Sequence, residues 1–95
     1  SELLDILQNN RIESWFQPVI DARTGGVWGY ECLMRGRKAD GSLVGAPQML
    51  EWASRENLKF MLDRVCRETH LTNAGKLNFN SKCRFLINFL PTAIY

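Results

Sequence analysis

Residues 84–90, Arg-Phe-Leu-Ile-Asn-Phe-Leu, constrain the fold most. The run is short, near-continuously apolar and rich in strand formers, and Pro91 ends it. Such a segment suits a central strand covered on both faces, the pattern of α/β architecture. One residue breaks it. Asn88 sits among Leu86, Ile87, Phe89 and Leu90, and a buried amide left unsatisfied costs about 1–3 kcal/mol. Asn88 is therefore either structural glue or a ligand for something bound.

The rest of the chain surrounds that strand. Residues 2–8 place Leu3, Ile6 and Leu7 at helical spacing, with Ser1 as a cap and Asn9-Asn10 as a stop. Residues 15–20, Trp-Phe-Gln-Pro-Val-Ile, read as a strand, at an edge because Pro18 cannot donate to a ladder. A turn over 21–26 joins it to a second strand over 27–35, and the short connection predicts an antiparallel hairpin. Residues 36–46 read as a Gly-rich, charged loop. Two helices follow, about 47–56 and 58–71, with Pro47 in the first turn, Asn57 at a left-handed junction and Asn73-Ala-Gly75 as a stop. The order is helix, hairpin, two helices, buried strand and the start of a further helix.

Composition narrows the function. The 95 residues allow one small domain or part of a larger one. Twelve Lys and Arg against ten Asp and Glu give a net charge of +2, too little to argue for a nucleic acid polymer. The run Arg35-Gly-Arg37-Lys38 reads as a solvated loop in which only Arg35 argues for a phosphate. No apolar run is long enough to span a membrane, and Glu2 and Asp5 interrupt any signal-like start. Three widely spaced cysteines without a C-x-x-C predict reduced thiols in a cytoplasmic protein. His70 has no ligand-spaced cysteine beside it and reads as an exposed residue near a helix end.

Strand alternation then sorts the polar residues. Val27, Gly29, Glu31, Leu33 and Arg35 share one face of the second strand, and Trp28, Tyr30, Cys32 and Met34 the other. If the second face meets the core, Glu31 and Arg35 simply face water. The alternative is a site. Glu31 and Asn88 converging from strand ends would make an all-oxygen pair suited to Mg²⁺ or Mn²⁺. Arg35 and Gln17 nearby would suit a phosphate.

These residues also carry a resemblance. Phe16-Gln17-Pro18-Val19-Ile20, followed by Gly29-Tyr30 and Glu31-Cys32-Leu33-Met34-Arg35, resembles the opening of EAL domains, bacterial phosphodiesterases that cleave cyclic di-GMP. Pro47-Gln-Met-Leu-Glu-Trp-Ala53, Leu62-Asp63 and Ile87-Asn88-Phe89 resemble later segments of that family, in the same order at compatible spacing. The resemblance implies a modified TIM (β/α)8 barrel whose first strand runs antiparallel to its neighbour, with residues 1–95 forming its N-terminal part. It implies Glu31 and Asn88 as ligands of Mg²⁺ or Mn²⁺, Gln17 and Arg35 as contacts to the dinucleotide, Arg35 at a phosphate, and Leu33 lining the pocket. The implied chemistry is metal-assisted hydrolysis to pGpG.

The sequence departs from the family pattern at Cys32 in place of Ala, at Ser54 in place of Glu, and at Asn57 in place of Gly. A complete barrel also needs roughly 200–250 residues. The family's Asp-Asp pair, catalytic Lys and last Glu are absent here. No complete catalytic set is therefore expected in these 95 residues. Hydrolysis is expected of the intact domain and not of this segment, and an open strand edge predicts self-association. Two other readings remain: a degenerate EAL domain that binds cyclic di-GMP or a protein partner without cleaving, and an unrelated interaction domain.

Overall fold

The structure, a computed structural model, describes residues 1–77 and 84–87. In chain order it runs α1 (Glu2–Gln8), β1 (Ile12–Ile20), β2 (Val27–Arg37), β3 (Leu43–Gly45), α2 (Ala46–Glu56), α3 (Lys59–Leu77) and β4 (Phe85–Ile87). Strand β2 is the hub. It pairs antiparallel with β1, from Ile12 opposite Gly36 to Ile20 opposite Val27. β3 lies antiparallel to its Arg35–Arg37 end, and β4 lies parallel to Tyr30–Cys32. The predicted antiparallel hairpin is thus present, and the first parallel pairing of an α/β sheet follows it.

Local chemistry explains the element ends. The Ser1 hydroxyl accepts from the Leu4 N–H at 3.1 Å, and Glu2 and Asp5 sit in the first turn, where the helix dipole favours negative charge. In the hairpin turn, Asp21 accepts from the Arg23 N–H at 2.9 Å. Pro47 occupies the first turn of α2, and Asn57 closes it in the left-handed region at φ 57°. Pro18 is tolerated because, among the described residues, β1 has β2 as its sole strand partner.

The core lies on one side of the sheet. Leu3, Ile6 and Leu7 of α1, Met49 and Ala53 of α2, and Leu62 and Cys66 of α3 pack against Ile12, Met34 and Val44 of the strands. Close approach fixes two glycines. A Cβ on Gly36 would stand 2.7 Å from the Met49 Sδ, and one on Gly29 would stand 2.8 Å from the Arg84 carbonyl oxygen. The latter closeness is what lets the Tyr30 N–H donate to that carbonyl at 2.9 Å and bring β4 alongside.

Several sequence expectations need correction. The first strand starts at Ile12, three residues before the aromatic run. The supposed loop over 36–46 contains the end of β2 and all of β3. Helix α3 runs through Asn73-Ala-Gly75 to Leu77, because Ala74 is buried and the Asn73 amide donates to the Ser14 hydroxyl at 3.0 Å. Tertiary contact overrides weak helix formers there. His70 is consequently mid-helix, one turn beyond Cys66 on the packed face, and only 2% exposed. In β4, Leu86 is 40% exposed, so in this chain the strand is covered on one face. Residues 88–90 of that expected strand, Asn88 included, lie outside the described residues, as does Cys83.

Candidate functional site

The register of β1 and β2 gathers the predicted residues. Gln17 stands opposite Glu31, Trp15 opposite Leu33 and Glu13 opposite Arg35. Alternation therefore puts Glu13, Trp15, Gln17, Glu31, Leu33, Arg35 and Arg37 on one face. That face is turned away from the helices, since Cys32, Met34 and Gly36 are buried on the other, and Gly29, the remaining buried position of β2, is covered by Arg84. Leu86 of β4 pairs with Glu31 and joins the same face. Gln17 is exposed, and Glu31, Leu33 and Arg35 are half-buried. The structure thus brings four of the five predicted site residues together, and the fifth, Asn88, lies outside the described residues.

Charge on this face is organised. The Arg37 Nε donates to Glu13 Oε2 at 2.7 Å, and this bond, followed by one from the Trp15 indole N–H, holds the Glu13 carboxyl below its usual value. The Arg35 guanidinium lies over the Trp15 ring, 5.4 Å from its centroid, and donates to the Met34 carbonyl at 2.7 Å. Trp15, Glu13 and Arg37 were missed as members of this face. Their signal was the alternation of Ile12, Ser14 and Phe16 against Glu13, Trp15 and Gln17, which becomes visible once the strand begins at Ile12.

The opposite face carries polar groups of another kind. Ser14 Oγ lies 2.5 Å from His70 Nδ1, and Cys66 Sγ lies 3.2 Å from His70 Nε2. Both ring nitrogens are partnered in either neutral tautomer. Burial pushes the His70 pKa down and the Cys66 thiol up to about 12. Burial also raises the Cys32 thiol, and both cysteines are free. A protonated thiol beside a neutral imidazole is poorly suited to nucleophilic or metal chemistry. This cluster ties β1 to α3.

Among the described residues the open face does not complete a metal site by itself: no three His, Cys, Asp or Glu side chains converge to hold an ion, and a hard divalent cation needs several oxygen ligands. A hollow of about 460 Å³ lined by Ser1, Glu2, Asp5, Lys38, Ala39 and Asp40 contains none of the site residues. No helix of the described residues is long and apolar enough to cross a membrane.

The family model for the EAL domain matches residues 1–95, and the chain belongs to that family. Among solved structures it is similar to the PaMucR phosphodiesterase in its c-di-GMP complex, with a TM-score of 0.62 and 23% identity over 94% of this chain. The chain spans 37% of that protein's length. At this identity the likeness shows the fold, part of a TIM-type barrel. No curated protein matches the chain.

Proposed function

We propose that the domain to which this chain belongs binds cyclic di-GMP and hydrolyses it to pGpG. One observation carries the reading: Gln17, Glu31, Leu33 and Arg35, separated in sequence, share the face turned away from the helices. The c-di-GMP named for the structural neighbour adds support. In this reading Arg35 meets a phosphate through its planar fork, Gln17 hydrogen-bonds the ligand, and Leu33 packs against it. Glu31 and Asn88 are two oxygen ligands of a Mg²⁺ or Mn²⁺ ion completed elsewhere in the intact domain. A divalent ion there supplies an acidified water and neutralises charge on the phosphate. The 95 residues alone, lacking the remaining ligands, do not turn the substrate over.

The test is incubation of the intact protein with cyclic di-GMP and MgCl₂, with nucleotides resolved by chromatography. Formation of pGpG supports the reading. Binding without turnover moves it to the alternative, a degenerate EAL domain that acts as a cyclic di-GMP receptor or interaction module. Absence of binding refutes both.

Self-association belongs to the same proposal. Among the described residues the outer edges of β1 and β4 have no strand partner, and open edges invite pairing between chains. Light scattering on the 95-residue chain is expected to show a dimer; a monomer at every soluble concentration refutes this.

A further inference from the structure

Register places Glu13 directly opposite Arg35, where opposite charges ordinarily pair across strands. The carboxylate turns to Arg37 instead, taking its Nε at 2.7 Å and its Nη2 at 3.4 Å. Arg37 is held in turn by donation from Nη1 to the Gly41 carbonyl at 3.0 Å. Glu13 Oε1 also accepts the Trp15 indole N–H at 3.1 Å, which fixes the ring on which Arg35 rests. Among the described residues no carboxylate stands within ion-pair distance of Arg35.

We infer that Arg37 and Trp15 are positioning residues that keep the Arg35 guanidinium unneutralised for an incoming phosphate: Arg37 holds the Glu13 carboxylate away, and Trp15 supports the guanidinium plane. The inference rests on the reading of Arg35 as a phosphate contact. Its physical basis is competition. A guanidinium already paired with a carboxylate must break that pair before it takes a phosphate, whereas stacking on an indole leaves available the N–H groups of the fork that Arg35 does not donate to the Met34 carbonyl. Pre-forming the binding geometry lowers the cost of association.

Substitution separates this role from a structural one. Arg37→Gln frees Glu13 to swing to Arg35, and cyclic di-GMP binding to the intact protein is expected to weaken about tenfold, as loss of one charge-assisted contact would give, in KM rather than kcat. Arg37→Lys, which keeps the charge, retains affinity. Adding Glu13→Gln to Arg37→Gln removes the competitor and restores binding to within about twofold, the signature of coupled neighbours. A ligand-free readout accompanies these. The Arg35 Nε–H resonance, assigned with Arg35→Lys, is expected to be displaced upfield by the Trp15 ring, 5.4 Å from the guanidinium carbon, and Arg37→Gln is expected to abolish that displacement. Displacement retained in Arg37→Gln overturns the inference, as does wild-type binding that Arg37→Gln leaves unchanged. Failure of the wild-type protein to bind cyclic di-GMP instead refutes the proposed function, and the resonance still decides whether Arg37 sets the pairing.

Discussion

The two faces of β2 obey different rules. On the helix side, Cys32, Met34 and Gly36 are buried, an added Cβ at Gly36 would force Met49 to shift, and the polar groups Ser14, His70 and Cys66 satisfy one another. On the open side, Gln17, Glu31, Leu33 and Arg35 stay partly exposed, and Glu13 pairs with Arg37 rather than with Arg35 opposite it. One strand alternates between these environments every residue. Packing is concentrated on the first face, and the proposed ligand contacts lie on the second, so substitutions one position apart should fail in different assays.

The sharpest separation comes from Glu31. Glu31→Gln in the intact protein is expected to lower cyclic di-GMP turnover about a thousandfold, the several kcal/mol that charge stabilisation at a phosphoryl centre supplies, while the thermal midpoint stays within about 2 °C. Equal losses in both would erase the distinction between the faces. Met49→Ala, on the packed side, is expected to cost about 2–5 kcal/mol in urea unfolding through the cavity it leaves, because Met49 is fully buried. A cost under 1 kcal/mol would show that the helix face is not tightly packed.

The smallest effect is acid sensitivity. Burial holds the His70 imidazole below its ordinary value of 6.5, so the unfolded chain takes up the proton first. The stability linked to His70 is complete above about pH 6.5 and is lost as the pH falls through the folded value. Urea midpoints at pH 7.5 and 5 measure the difference, and His70→Gln should reduce it. An unchanged difference in that variant would assign the acid sensitivity to other groups.

Much of the fold was legible because local chemistry set it. Ser1 and Pro47 mark helix starts, Asn57 marks a left-handed end, and the turn over 21–26 marks an antiparallel hairpin. The alternation of Glu31, Leu33 and Arg35 likewise placed three site residues on one face. Where the reading failed, distant contacts had overruled local preference. Nothing near Asn73-Ala-Gly75 says that the Asn73 amide will reach Ser14, so the helix was ended too soon and His70 was assigned to the surface.

The sequence by itself determined the alternation, the hairpin and the order of motifs that identify the EAL family, because periodicity and turn chemistry act over a few residues. Only the tertiary structure decided which face of β2 the helices cover, and that Glu13 pairs with Arg37 in place of Arg35. Those choices depend on side chains meeting across strands and helices, where burial and charge competition outweigh the preference of any single residue.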